Sequence, residues 1–367
     1  MLKIAYDHQI FGWQNYGGVS RYFFELANNI AHAKLAEVSI VSPLYVNSYL
    51  SSASSELRVI GRKIPAIRRT GRFNRAINQM LVPSAMKAIR PDVVHETYYS
   101  KTRQAPQSSK VVLTVFDMVH EKFPESFSKW DPLKSEKVVA VRRADHIVCI
   151  SENTRKDLIQ LLGVEHEKTS VVHLGFSLTE AAQEDDCKGG RPYLLHVGAR
   201  AGYKNFETLL RAYAREPTLV REFDLVAFGG GDFDTKELIL IKALGLSDAR
   251  VRQVSGGDSI LAGLYQGAAL FVYPSRYEGF GIPPLEAMSF GCPVVCSNRS
   301  SIPEVVGDAA VFFDPDSSDS IALAIDSVLN NAELRGTLIT RGRERIKMFS
   351  WEQCAEQTLD VYRKVLA

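Results

Sequence analysis

The sequence predicts an α/β protein made of two successive series of parallel strands and helices. Three observations point there. Short β-branched runs recur along all 367 residues. Most are apolar along their whole length rather than alternating, as strands of a parallel sheet covered on both faces are. The segments between them carry helical spacing, with Phe23, Leu26, Ala27 and Ile30 at i, i+3, i+4 and i+7.

In chain order, strands of the first series are expected at 2–7, 38–43, 93–95, 110–117, 146–151 and 170–175. Those of the second are expected at 193–198, 223–229, 251–255, 270–275, 293–298 and 310–314. A βα series that occurs twice implies two Rossmann-like domains. With 46% hydrophobic content, each half is long enough to bury a full core. The polar stretch 180–190 ends in Gly189-Gly190 and reads as a linker between domains at 1–180 and 191–349. Two such domains leave a cleft between their strand ends, a common location for a ligand. The segment 350–367 is amphipathic, with Ser350 a candidate N-cap and Gln353 its capping-box partner. On spacing alone it either caps the second domain or returns to the first.

Composition removes several classes of function. A formal charge of +2 does not indicate a general nucleic-acid binder. No run of eighteen apolar residues is present to span a membrane. The start, Met1-Leu2-Lys3-Ile4-Ala5-Tyr6-Asp7, reads as a strand and not as a signal peptide. The five cysteines have no zinc spacing and read as reduced structural thiols of a cytoplasmic protein.

The stretch Tyr277-Glu278-Gly279-Phe280-Gly281-Ile282-Pro283-Pro284-Leu285-Glu286 follows an apolar strand. Its prolines mark a helix start, which leaves Glu278 in the loop and puts Glu286 in the first turn. Gly291 and Pro293 end that helix after about two turns. Free amides at the helix start suit an anion. Two readings of the glutamates stay open: ligand contacts, or one dipole partner and one solvated charge. After the first strand of the second series, Arg200 and Lys204 flank a glycine loop, and Asn205 reads as the N-cap of the helix carrying Leu209, Leu210 and Tyr213. Cations beside unpaired amides are what a diphosphate needs. The loop is not a G-x-G-x-x-G fingerprint, which weakens a nicotinamide reading. Gly17-Gly18 follows the first strand and lets backbone approach a ligand, or is simply a turn. Ser151 reads as a helix cap. His95, with Tyr98 and Tyr99, either lines a ligand site or is a satisfied core histidine.

Glu278-x7-Glu286, followed by Gly291-Cys292-Pro293-Val294-Val295 and Ser300-Ser301-Ile302-Pro303-Glu304-Val305, resembles the signature region of the retaining glycosyltransferases of family 4. The resemblance implies the GT-B fold, with two Rossmann-like domains facing each other across a cleft and a last helix crossing back to the first. It implies hexosyl transfer from a nucleotide-diphospho-sugar without a metal. Glu278 would lie by the donor sugar with Gly279, Phe280, Gly281 and Ile282 around it, and Glu286 would hold the ribose. Arg200 and Lys204 would bind the diphosphate, Gly18 would lie over donor phosphate and acceptor, and Gly229 close to the nucleotide. Phe116 stands where members often carry a histidine, which leaves Asp117 and His120 as nearby polar candidates. Asp232-Phe233-Asp234 fits an Asp-x-Asp metal motif, but that motif belongs to a different transferase fold.

The acceptor implied is a glycan or a lipid-linked glycan. The first thirty residues resemble transferases that build bacterial surface polysaccharides, many of them mannosyl-type, so GDP-mannose is the preferred donor. A sugar-nucleotide epimerase of the same architecture is the rival reading, and a degenerate binding domain is the non-enzymatic one. Between 58 and 90, Arg58, Arg62, Lys63, Arg68, Arg69, Arg72, Arg75, Lys87 and Arg90 are interleaved with apolar residues. Each cation near an anionic leaflet contributes about 1 kcal/mol. The expectation is peripheral attachment to the inner face of the cytoplasmic membrane; the alternative is a basic face that steers anionic substrates.

Overall fold

A computed structural model describes residues 1–67, 70–177 and 190–367, with residue 72 described by its backbone. They form two compact units, Met1–Gly175 with Phe349–Ala367, and Phe176–Met348. Apart from Gly190, the expected linker 180–190 lies outside the described residues, as do Arg68 and Arg69 of the basic region.

The first unit has strands β1 (Lys3–Tyr6), β2 (Glu37–Tyr45), β3 (Arg58–Lys63), β4 (Val93–Glu96), β5 (Lys110–Val115), β6 (His146–Cys149) and β7 (Thr169–Val171). They pair in parallel in the order β3-β2-β1-β4-β5-β6-β7. The second unit has β8 (Tyr193–Val197), β9 (Asp224–Phe228), β10 (Val251–Val254), β11 (Leu270–Tyr273), β12 (Val294–Ser297) and β13 (Val311–Phe313). These are also parallel, in the order β10-β9-β8-β11-β12-β13. In both sheets the order reverses beside the first strand. Ligands of open α/β sheets bind outside the carboxyl ends of the strands at that reversal, here between β1 and β4 and between β8 and β11.

β3 is the strand that periodicity did not anticipate. It is an exposed edge strand with cations at Arg58, Arg62 and Lys63, a composition that guards an edge against further pairing. Its register against β2 shifts between Val41 and Leu44, around Pro43. The Asn78 side chain mends the gap, accepting from Leu44 N and donating to Leu44 O at 2.8 Å each. Gly61 sits at φ +155, and a Cβ there would lie 1.7 Å from Ser42 O. Only glycine fits that crossing.

The helix Gly18–His32 buries Phe23, Leu26, Ala27 and Ile30, as its spacing predicts. The helix Phe206–Arg215 buries Leu209, Leu210 and Tyr213 in the core of the second unit. The C-terminal helix Trp351–Leu366 returns to the first unit, with Ser350 Oγ accepting from Gln353 N at 3.1 Å. Tyr362 anchors it, its hydroxyl 3.0 Å from Tyr6 Oη and 2.6 Å from His95 Nδ1. His95 Nε2 meets Thr114 Oγ1 at 2.8 Å, and burial lowers the imidazole pKa to about 3. His95 is thus a satisfied core histidine. At the other end of this helix the Trp351 ring fills the space a Cβ on Gly175 would need, 2.6 Å away.

Cys149, Cys292, Cys296 and Cys354 are free and buried. Among the described residues no helix is long and apolar enough to cross a membrane.

Candidate functional site

Three loops at the strand ends of the second unit carry most of the expected site. The loop after β8 turns at Gly198 (φ +124) and brings up Lys204 in a short 3-10 turn. The loop after β11 brings up Glu278. Lys204 Nζ donates to Glu278 Oε1 and Oε2 at 2.8 and 3.0 Å, both side chains being mostly buried. The carboxylate loop is itself fastened. Glu278 N donates to Ser300 Oγ at 2.9 Å, and Ser301 Oγ donates to the carbonyls of Glu278 and Phe280 at 2.8 Å each. Ser300 and Ser301 of the downstream block therefore hold the loop in shape. Burial, and then the neighbouring Glu278 carboxylate, keep the Tyr273 phenol protonated far above its usual range.

The helix after this loop spans Ile282–Ser289, with Gly281 at φ +106 as its N-cap residue. It starts ahead of the prolines, so Glu286 stands one turn inside the helix and not in its first turn as expected. Glu286 Oε2 accepts from the Tyr265 hydroxyl at 3.0 Å. Gly291, at φ +70, follows the helix end.

Asn205 occupies the N-cap position of its helix but does not cap it, because it lies in the left-handed region at φ 63. Its amide instead donates to the carbonyls of Pro274 and Pro315 at 3.0 and 2.7 Å, and its oxygen accepts from Thr208. It staples the β8 loop to the β11 loop. Arg200 also points away from Lys204, towards the loop after β9. Its Nε and Nη2 meet Glu237 at 2.7 and 3.1 Å, Nη1 donates to Gly229 O at 2.6 Å, and Nη2 donates to Asp232 O at 2.9 Å. Among the described residues these bonds take four of the five N–H donors of the guanidinium. Gly229, Gly230 and Gly231 are all left-handed, at φ +85, +72 and +72. Asp234 caps the helix Thr235–Ala243 through a capping box with Glu237. Sequence reading did not single out Glu237, although Asp234-x-x-Glu237 is a legible capping-box spacing.

The first unit holds a cavity of about 940 Å³ at its strand ends. Its wall includes His8 and Gln9 after β1, Tyr98 and Tyr99 after β4, and His120 after β5. Trp13 and Tyr98 lie with ring centroids 5.5 Å apart, and Trp13 is 63% exposed. Arg75, Asp131 and Glu136 bring charge to the wall, with Arg75 Nη2 held by Glu136 Oε1 at 3.0 Å. His120 stacks on Phe127 at 3.7 Å and approaches Asp131 at 3.6 Å. His8 is buried and its Nδ1 has no hydrogen-bond partner among the described residues; burial holds its pKa below the usual imidazole range. His8 and Gln9 were missed in the sequence, and Arg75 was read there only as one cation of the basic region. The position of His8 and Gln9 directly after the first strand was the available signal.

Asp117 is not among the residues on this wall. Its Oδ1 accepts from Val119 N at 3.1 Å, a local turn, and its carbonyl accepts from Lys137. Phe116 packs edge-on against Tyr22 and Phe23 at 5.3 and 5.8 Å. Gly18 opens its helix, and a Cβ there would meet nothing within 4 Å. Gly17 does not share this freedom, since its Cβ would lie 2.4 Å from Gln14 Oε1. Ser151 caps its helix through Thr154 N at 3.0 Å.

Comparison with known proteins identifies the family. Residues 16–180 match the model of Glycosyltransferase Family 4, and residues 179–345 match that of Glycosyl transferases group 1. The chain is 30% identical over 369 residues to the O-antigen chain mannosyltransferase B of Escherichia coli, covering 94% of this chain and 96% of that one. It is 27% identical over 219 residues to the O-antigen chain mannosyltransferase RfbU of Salmonella typhimurium, covering 59% and 60%.

Among solved structures, sucrose-phosphate synthase from Thermosynechococcus elongatus superposes with a TM-score of 0.77 at 21% identity, covering 100% and 99% of the two chains. WaaG, a glycosyltransferase involved in lipopolysaccharide biosynthesis, does so at 0.70 and 19%, covering 98% and 99%. Both share the GT-B fold. Nothing in these comparisons supports the epimerase alternative. With two parallel-sheet units, a returning C-terminal helix and a full-length relative at this identity, the chain belongs to glycosyltransferase family 4.

Proposed function

We propose that this glycosyltransferase moves a hexosyl group, mannose in the preferred case, from a nucleotide-diphospho-sugar to a glycan or lipid-linked glycan of a bacterial surface polysaccharide, with retention of configuration. The observation that carries the reading is the Lys204–Glu278 pair, 2.8 Å long, joining the β8 and β11 loops at the strand ends of the second unit. A diphosphate arriving there competes with Glu278 for the lysine. It frees the carboxylate to bind sugar hydroxyls and to stabilise positive charge developing on the ring. Glu286, one turn into the next helix, takes the ribose. Arg200 contributes from beside Gly229, close to the nucleotide. A donor phosphate oxygen serves as base, so no separate carboxylate base is required. Gly18 offers open backbone to a ligand at the strand ends of the first unit.

The names of the relatives support mannose and an O-antigen-type product. The cavity of the first unit suits the acceptor. Aromatic faces at Trp13 and Tyr98 can stack on sugar rings, and His120 stands on its wall with Asp117 nearby in the chain. No metal is invoked. Asp234 of the Asp-x-Asp stretch caps a helix.

The decisive test is Glu278→Gln. Transfer from GDP-mannose should fall by about 10³-fold, the scale of losing one preorganised electrostatic contact in the transition state. GDP should still raise the melting temperature. Unchanged turnover would remove Glu278 from the site, and a panel of UDP-sugars reports the base. Proton NMR of the product reads the anomeric configuration.

Membrane attachment through 58–90 is supported by Ile67, Phe73 and Met80, which are exposed beside the cations of β3 and of the helix Gly71–Ile89. Arg75 is held at the cavity by Glu136 and stands outside that argument. Failure of anionic liposomes to retain the protein at low salt would end it.

A further inference from the structure

We infer that Glu237 is a positioning residue for the donor, acting through Arg200 on the three left-handed glycines after β9. This rests on the donor reading of the second unit. Glu237 takes Arg200 at Nε and Nη2 while its Oε2 also accepts from Asp234 N at 2.8 Å. It is therefore fixed at both ends, to the guanidinium and to the start of the helix Thr235–Ala243. Arg200 is in turn clamped from above by Phe233, whose ring centroid lies 4.8 Å from the guanidinium carbon. Held this way, the guanidinium reaches the carbonyls of Gly229 and Asp232, the two ends of the glycine turn.

Three successive residues at positive φ form a conformation that glycine tolerates but does not prefer, since it samples both signs of φ about equally. An unbraced turn would lose backbone entropy on becoming ordered around a ligand. The Arg200–Glu237 brace orders the turn in advance. The fit is tight, because a Cβ on Gly230 would lie 2.7 Å from Arg200 Nη1. The arginine side chain is 4% exposed and the glutamate 18%, so the pair is shielded from solvent. Lys204, paired across to Glu278 instead, is left as the cation that meets the diphosphate directly. The two cations of the β8 loop thus have different roles: one contacts phosphate, the other shapes backbone beside the nucleoside.

The roles separate in a binding experiment that compares a nucleoside with its diphosphate. Guanosine and GDP, and in parallel uridine and UDP, are titrated calorimetrically into the full chain. For Glu237→Gln and Arg200→Lys, both forms of the preferred nucleotide should weaken by the same factor of about ten, the value of one charge-assisted hydrogen bond. Lys204→Ala should weaken the diphosphate alone. Gly230→Ala disturbs the brace without removing a charge and should reproduce the Glu237→Gln pattern, which guards against a folding artefact at Glu237.

Unchanged binding in Glu237→Gln would overturn the inference. So would a loss in Arg200→Lys confined to the diphosphate, which would make Arg200 a direct phosphate ligand. If the unaltered chain binds none of the four compounds, the donor reading itself falls, and the brace with it.

Discussion

Two buried or half-buried ion pairs stand at strand ends of the two units, and they differ in what surrounds them. Glu96, at the end of β4 in the first unit, is fully enclosed and meets Arg143 at 2.5 and 3.2 Å. Lys204 and Glu278, in the second, keep 21% and 11% of their side-chain surface in contact with solvent. In the first pair the carboxylate is shut off from solvent, and only Arg143 keeps 12% of its side-chain surface exposed. Burial pushes the Glu96 carboxyl up to about 7 against the pull of Arg143. The second pair is open to exchange with an arriving anion. The same strand order thus delivers a structural pair in one unit and a displaceable pair in the other, and solvent access at the carboxylate, 0% against 11%, is what separates them.

Three measurements break or sharpen that contrast. The largest effect is expected for Arg143→Ala, which strands a buried carboxylate and should destabilise the protein by about 3–5 kcal/mol in urea unfolding. Lys204→Ala should cost only about 1 kcal/mol by the same assay, because its pair is partly exposed. A loss for Lys204→Ala as large as that for Arg143→Ala would erase the distinction.

Next comes acidity. His95 in the first unit and His196 in the second have pKa values lowered by burial to about 3 and about 4. Their folded values lie below the unfolded value, so the stability they contribute is present above pH 6.5 and is lost as pH falls towards 4. At pH 5 the loss is about 2 kcal/mol for each, 1.5 pH units at 1.36 kcal/mol per unit. The melting temperature should drop between pH 7 and 5, and less steeply in His95→Gln, which keeps hydrogen-bonding capacity and does not titrate. An identical slope in that variant would deny His95 its share.

The smallest effect belongs to the cavity. Trp13→Ala should raise the KM for the acceptor about tenfold, near the upper range of one aromatic contact, without altering GDP binding. An unchanged acceptor KM would take the cavity out of the reaction.

Much of this was legible in the sequence, and for identifiable reasons. The parallel strands are continuous apolar runs because helices cover both faces. β3 escaped because it is an edge strand, whose charges and glycine answer to an exposed rim and to the close approach of Ser42. The Lys204 and Glu278 loops were readable because each site residue sits in a local motif. The direction of Arg200 was not, because its partners Gly229, Asp232 and Glu237 follow about thirty residues later, and only the fold brings them to it. Asn205 was misread for a related reason: its backbone is left-handed, and its amide answers to two distant prolines, not to its own helix. The cavity of the first unit is wholly a product of folding, with its wall drawn from the segments after β1, β4 and β5 and from the helices Gly71–Ile89 and Leu133–Arg143.

The returning helix has a consequence for how the chain is made. The first unit includes Phe349–Ala367, which the ribosome adds only after all of the second unit. Until then Tyr6, Tyr22 and His95 lack the cover that Trp351 and Tyr362 supply, and an aromatic surface is bare during synthesis. Such surfaces are prone to aggregate. Truncation before Phe349 would therefore damage the beginning of the protein and spare its middle, and the N-terminal unit expressed by itself calls for this helix to be supplied, fused or in trans.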